Sequence, residues 1–187
     1  GVPRNVSDYI GRQVINTILG GRFTSWLNDE LRVNSGLTYG ARSSFSALKD
    51  GGSFSMSTFT ANETTKQTID LLLKTYQKIH DFGIDTKTLE SAKNYVKGQF
   101  PPDYETNAAI ARFFTDATVY EIPMDYIDKF TETVNSLDSK KAKQIIEDYF
   151  PKDNLQMVFI GKASEIKPIV TKFGPVKVLE ITEDTYY

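Results

Sequence analysis

Apolar residues recur at helical spacing along most of the chain, and they alternate as in a strand on either side of a single turn, Lys49–Gly52. Periodicity near 3.6 residues predicts amphipathic helices, and alternation predicts a half-buried strand. The helical segments are centred on Ile15, Leu27, Leu72, Ala92, Phe113, Phe130, Ile145 and Ile169. Glycines follow several of them, where helices commonly end. The chain is therefore predicted to be rich in helices that surround a small amount of sheet.

Three regions carry strand signals. The segments Tyr39–Ala47 and Ser53–Thr60 alternate around the turn and predict a β-hairpin. The run Leu155–Ile160 is short and almost wholly apolar, which predicts a buried strand, and Val176–Ile181 is a candidate edge strand. Because helices and strands do not alternate strictly, we expect an α+β fold, with a mainly antiparallel sheet and helices packed on one face.

Composition narrows the classes of partner. The 187 residues form no low-complexity linker, so a single domain over 1–187 is expected. No apolar run approaches the roughly 20 residues of a membrane helix, so we expect no membrane span. Lys and Arg number 22 against 24 Asp and Glu, and no basic cluster stands out. A nucleic-acid partner is therefore not expected.

The chain offers few residues for catalysis. It has one histidine, His80, and no cysteine, so neither HExxH nor HxxEH can be written and thiolate chemistry is excluded. His80 falls near the end of a predicted helix, where the helix dipole favours a cation; a ligand or base role is the alternative. No nucleophile elbow or phosphate loop is present. Catalysis by an acid/base pair of two carboxylates is an alternative that the sequence leaves open.

One segment combines an arginine at a helix end with a tyrosine at a strand start. Arg32 and Tyr39 are separated by Gly36, which permits a sharp turn. A guanidinium and a phenol could together grip peptide backbone or an oxyanion. Taken alone, a structural salt bridge and a core tyrosine are the simpler interpretation.

The same segment resembles the peptidase M16 (insulinase, pitrilysin, mitochondrial processing peptidase) family. The resemblance rests on Asn16–Leu27, which includes Leu-Gly-Gly-x-Phe-x-Ser, then on Leu31-Arg32 and Gly36–Tyr39. Later segments follow the family's order, including Asn62–Thr64 and the run ending at Gly161. It implies a LuxS/MPP-like metallohydrolase fold and, since HxxEH is missing, the family's non-catalytic, C-terminal type of domain.

The resemblance also implies a division of labour. A partner domain or subunit bearing HxxEH would carry zinc, and this chain, with no cofactor, no metal ligand and no catalytic residue, would bind the peptide substrate. Arg32 and Tyr39 would contact that substrate and help to stabilise the tetrahedral intermediate. The chain alone would not be an enzyme. The rival is a structural scaffold without a role in proteolysis, as some relatives have become in respiratory complexes.

The chain departs from the family pattern at its N-terminus. Family domains usually begin with a strand or two before the first helix, so we expect this domain to be truncated at its N-terminal strand. The compartment is undetermined by the sequence; a bacterial periplasm or cell envelope is the working expectation.

Overall fold

The fold begins with two short helices joined by a glycine-rich bend. A computed structural model describes residues 1–181 of the chain. α1 (Tyr9–Asn16) continues into a π-helical turn, Thr17–Gly21, and α2 (Trp26–Asn28) continues into another, Asp29–Asn34. Both were predicted from periodicity, and their apolar faces lie in the core.

The remaining elements follow in chain order, beginning with the hairpin β1 (Ala41–Ala47) and β2 (Gly52–Thr58). The later helices are α3 (Thr65–Asp81), α4 (Thr86–Gln99), α5 (Asn107–Tyr120), α6 (Tyr126–Asn135), α7 (Ser139–Tyr149) and α8 (Ala163–Val170). Short 3-10 turns lie at Asn62–Thr64, Pro101–Tyr104 and Thr171–Phe173. Among the helices of residues 1–181, none is both long and apolar enough to cross a membrane.

The hairpin presents one face to the helices, as expected for an α+β fold. The strands pair antiparallel, from Ala41 opposite Thr58 to Ala47 opposite Gly52. Phe45 and Phe54 face the core with ring centroids 4.9 Å apart, and the ring of Phe150 lies 5.1 Å from Phe45 and 5.2 Å from Phe54. The serines that alternate with these phenylalanines are exposed. The predicted helix-covered antiparallel hairpin is confirmed.

Two predicted strands are absent. Leu155–Ile160 is not paired with any strand of the described chain, and Val158 and Ile160 are 87% and 84% exposed. Val176–Ile181 is likewise unpaired, with Leu179 exposed. A strand is stable only when a neighbour satisfies its backbone and covers its side chains. Leu155–Ile160 has no such neighbour, because a groove of about 1110 Å³ lies between it and β2.

A buried lysine ties α4 to the connection between α6 and α7. Lys93 is only 5% exposed. Its Nζ donates to the carbonyl oxygens of Asn135 at 3.0 Å and Leu137 at 3.1 Å, and to Oε1 of Glu90 at 2.7 Å. These bonds satisfy carbonyls that the end of α6 would otherwise leave unpaired.

Replacing Lys93 should therefore destabilise the fold. Lys93→Met leaves the Asn135 and Leu137 carbonyls without their donor, at a cost of about 2–4 kcal/mol in the free energy of unfolding. Urea denaturation measures this. The matched control is Lys97→Met, whose more exposed Nζ bonds the Asn135 side chain at 2.9 Å; a loss below about 1 kcal/mol is expected. Equal losses in the two variants would contradict the prediction.

Candidate functional site

Arg32 and Tyr39 come together because the chain reverses between them. Arg32 lies in the last turn of the helical segment that ends at Asn34, and Gly36 has φ +65°, a left-handed conformation that favours glycine. The Gly36 amide donates to the Arg32 carbonyl at 3.1 Å, and the Leu37 amide to the Leu31 carbonyl at 2.9 Å. This helix end turns the following residues back toward Arg32.

Arg32 lies against two aromatic rings. Its Cζ atom is 4.5 Å from the centroid of the Tyr39 ring and 4.7 Å from that of Phe23. Both distances are within the range of a cation–π contact. We call Phe23, Arg32 and Tyr39 the Arg32 cluster. The structure thus brings the two predicted residues together and adds a third.

The two aromatic residues of the cluster are unusually exposed. Tyr39 is 86% exposed and Phe23 is 62% exposed, while Arg32 is half-buried. Within residues 1–181 the guanidinium of Arg32 makes neither an ion pair nor a hydrogen bond. Tyr39 is therefore not a core residue, and the structural salt bridge of Arg32 has no partner among residues 1–181. Contact with ring faces leaves the N–H groups at the guanidinium edge able to bind a ligand.

One buried and two half-buried side chains hold the cluster in place. Asn28, 5% exposed, donates through Nδ2 to the Phe23 carbonyl at 2.7 Å and accepts from the Ala41 amide through Oδ1 at 3.2 Å. On the other side, the Thr58 hydroxyl donates to the Gly40 carbonyl at 3.0 Å and the Thr60 hydroxyl to the Leu37 carbonyl at 2.9 Å. The exposed side chains are thus carried on fixed backbone.

Sequence reasoning placed Phe23 in a motif but assigned it no role. The missed signal is its position directly after Gly20-Gly21-Arg22, outside the helical periodicity of α1 and α2. Phe23 lies between the two helical segments, so the helical pattern does not direct its ring into the core. It is therefore a candidate for surface function.

His80 lies in the last turn of α3, as predicted, but the helix dipole does not dominate its charge. Its ring packs edge-on against Tyr76 at 5.2 Å, and both ring nitrogens are buried with no hydrogen-bond partner in the described part of the chain. Burial, with a smaller effect from Lys152, lowers the pKa of His80. Burial thus favours the neutral form of His80 in the fold.

The residues present do not fit a zinc centre. Over the described range, 1–181, no group of three His, Asp or Glu side chains converges as metal ligands would. His80 packs against an aromatic ring, whereas metal-binding histidines usually bond a carboxylate or carbonyl through their second nitrogen.

Comparison with known proteins identifies the family of the chain. The family described as the peptidase M16 inactive domain matches residues 1–96, just over half of the 187. The chain belongs to this M16 inactive-domain family. The match includes the whole Arg32 cluster and the hairpin beside it.

Relatives of this M16 domain are longer proteins. An uncharacterized zinc protease, YmxG of Bacillus subtilis, is 30% identical over 100 residues, which are 53% of this chain and 24% of YmxG. The crystal structure of a peptidase M16 inactive domain from Pseudomonas fluorescens is 27% identical, with a TM-score of 0.76 over 82% of this chain and 36% of that one. A chain of Complex III2 from Candida albicans shares the fold at 15% identity and a TM-score of 0.66, over 77% of this chain and 36% of that one. The M16 domain described here thus spans about a third or less of these proteins.

The buried histidine predicts a pH dependence. The folded-state pKa of His80 is below the ordinary value of about 6.5. The unfolded chain therefore binds the proton more readily, and the contribution of His80 to stability is present above about pH 6.5 and lost as pH falls toward the folded-state pKa.

His80→Phe should remove this dependence. Between about pH 7.5 and 5 the free energy of unfolding should fall less in the variant than in the original chain, since no other histidine titrates. Urea denaturation at several pH values measures the difference between the two proteins. If the two curves stay parallel through that window, His80 does not titrate differently on folding.

Proposed function

We propose that this chain is the substrate-binding, non-catalytic half of an M16 zinc peptidase. A partner domain or subunit bearing HxxEH supplies the zinc, the water and the general base, and this chain completes the active site over a peptide. The observation that carries the proposal is the Arg32 cluster: a guanidinium that lies against two exposed rings and has no ion pair within residues 1–181, on backbone fixed by Asn28, Thr58 and Thr60.

Each member of the cluster has a distinct task in this proposal. Arg32 offers planar N–H donors to the carbonyls of an extended peptide. Tyr39 offers a phenolic O–H to the oxyanion that develops at the attacked carbonyl, an interaction that strengthens as charge develops. Phe23 lies against the guanidinium and keeps it oriented, because a ring face restrains the cation without consuming its donors.

Two further observations support the proposal. The family is described as an inactive domain, and a relative is named a zinc protease. The absence of HxxEH from the full sequence requires that any M16 catalytic centre come from another domain or subunit. The Arg32 cluster is the exposed feature through which this chain could act on that centre.

The alternative is a structural scaffold without a role in proteolysis. It is favoured by the likeness to a chain of Complex III2, which at 15% identity reflects the fold. In a scaffold, Arg32 and Tyr39 would serve only packing or contact with a neighbour. The high exposure of Tyr39 and Phe23 favours the substrate-binding proposal over packing within the domain.

The proposal predicts strong activity only from the combined domains. With zinc present, peptide hydrolysis should be absent from this chain alone, weak from an HxxEH-bearing M16 partner alone and strong in the mixture. In the mixture, Arg32→Ala and Tyr39→Phe should each lower kcat/KM by about 10²–10³, as loss of one oxyanion donor does elsewhere. Phe23→Ala should lower it by about tenfold, because the guanidinium keeps its donors but loses a restraint.

The matched control is Arg42→Ala, which removes an exposed arginine from the outer face of the hairpin. It should leave turnover unchanged. Full activity of an Arg32→Ala/Tyr39→Phe double variant would favour the scaffold, and hydrolysis by the isolated chain would refute the non-catalytic assignment.

A further inference from the structure

A second cavity, of about 400 Å³, lies between α1, β1, α4 and α6. Aromatic residues form the largest group in its walls, among them Tyr9, Phe45, Tyr95, Phe100, Tyr104 and Tyr126. Two arginines, Arg4 and Arg12, and one carboxylate, Asp103, also line it. The cavity therefore combines ring surfaces with an excess of positive charge, and it shares no lining residue with the Arg32 cluster.

Arg12 is a buried cation whose donors lack an acceptor. It is 2% exposed, less than any other charged side chain among residues 1–181. Its Nε and Nη2 atoms are buried and have no hydrogen-bond partner in that range. Cζ lies 5.0 Å from the ring centroid of Tyr149, 5.3 Å from that of Phe45 and 5.5 Å from that of Tyr9. These rings offset part of the charge, but a buried guanidinium without an acceptor is costly.

The carboxylates near Arg12 do not supply that acceptor. Asp8 precedes Arg12 by one helical turn, but its Oδ1 accepts from Nζ of Lys141 at 2.7 Å and its Oδ2 from the Tyr149 hydroxyl at 3.2 Å. Asp103, the carboxylate in the cavity wall, is exposed and forms no bond to Nε or Nη2 of Arg12. The buried guanidinium is therefore not neutralised by either side chain.

Arg4 brings a second positive charge to the same ring. Its Cζ lies 3.4 Å from the ring centroid of Tyr9 and 5.3 Å from that of Tyr126. The Arg4 amide donates to the Leu48 carbonyl at 2.9 Å, which fixes the backbone that carries the side chain. Burial lowers the pKa of Arg12, and the charge of Arg4 contributes in the same direction. An anion in contact with both guanidiniums would offset their repulsion and accept their hydrogen bonds.

We propose that this cavity binds a small aromatic carboxylate, with the carboxylate on Arg12 and Arg4 and the ring among the aromatic walls. A carboxylate matches the planar fork of a guanidinium, which can donate two parallel hydrogen bonds to it. The volume of about 400 Å³ is at the lower end of the range for small-molecule sites, so a ligand with one ring is expected.

The other polar side chains in the wall favour a single charge on the ligand. Nε2 of Gln13 donates to the Tyr9 hydroxyl at 3.0 Å, and the Thr17 hydroxyl donates to the Gln13 carbonyl at 2.9 Å. Nδ2 of Asn16 donates to the Ser43 carbonyl at 3.0 Å. A phosphate dianion needs more donors than two guanidiniums, and these three side chains already donate within the protein. The carboxylate in the wall would also repel a second negative charge.

The bound carboxylate would contact α1, β1, α4 and α6 at once, since all four elements line the cavity. It would therefore stabilise the folded chain in proportion to its concentration. This inference does not depend on the proposed substrate binding, because the cavity and the Arg32 cluster consist of different residues. Loss of either property should leave the other intact.

Benzoate and benzamide, which have nearly the same shape, test the proposal on the unaltered chain. In an NMR titration, benzoate should bind with a Kd on the order of 1 mM and shift the amide signals of Gln13, Phe45 and Val96. Benzamide should bind about tenfold more weakly or less, because it carries no charge for the arginines. Equal affinities for the two ligands, or no binding of benzoate, would overturn the proposal. So would inorganic phosphate that binds more tightly than benzoate, because the cavity would then be a phosphate site.

Variants of the two arginines locate the bound carboxylate. Arg12→Met, which keeps an apolar side chain of similar length, should weaken benzoate binding about 30-fold, and Arg4→Gln should weaken it about tenfold. The matched control is Arg112→Gln, which changes an arginine on α5 whose side chain is 84% exposed; the affinity should stay the same. Unchanged benzoate affinity in both Arg12→Met and Arg4→Gln would refute the site. If Arg12→Met does not fold, Arg4→Gln and the comparison of the two ligands still decide.

Discussion

The close approach of the first helical segment to β1 is the constraint on which the rest of the structure depends. A Cβ at Gly20 would lie 2.2 Å from the Ser43 amide nitrogen and 2.5 Å from its hydroxyl, so a side chain at this position would push the hairpin away. Glycine permits the contact, and Asn16 completes it through bonds to the Ser43 carbonyl at 3.0 Å and hydroxyl at 2.6 Å. The motif glycine is thus a packing requirement.

The position of the hairpin has two consequences. Its inner face places Phe45 and Phe54 against Phe150 and Tyr76, which joins the N-terminal helices to α3 and α7 in one core. Its far end, at Thr58 and Thr60, fixes the loop that carries Tyr39 beside Arg32. The hairpin therefore contributes both to the core and to the support of the Arg32 cluster. A substitution at Gly20 that displaces the hairpin would disturb both.

The two edges of the hairpin differ in how the rest of the chain covers them. Asparagine side chains bond the β1 edge, while the β2 edge and Leu155–Ile160 lie on either side of one groove and pair with no further strand among residues 1–181. Exposed apolar side chains on an unpaired segment are costly unless something covers them.

The sequence by itself determined the local features: the presence of the helices, the hairpin with its turn, and the lack of HxxEH. These depend on residues near one another in the chain. The proximity of Arg32 and Tyr39 was also predictable from sequence, because a single turn at Gly36 brings them together. Only the tertiary structure decided that Leu155–Ile160 is unpaired within residues 1–181, that Phe23 joins Arg32, and that burial lowers the pKa of His80. Strand pairing, ring contacts and desolvation depend on partners distant in sequence, and no local pattern specifies which surfaces meet.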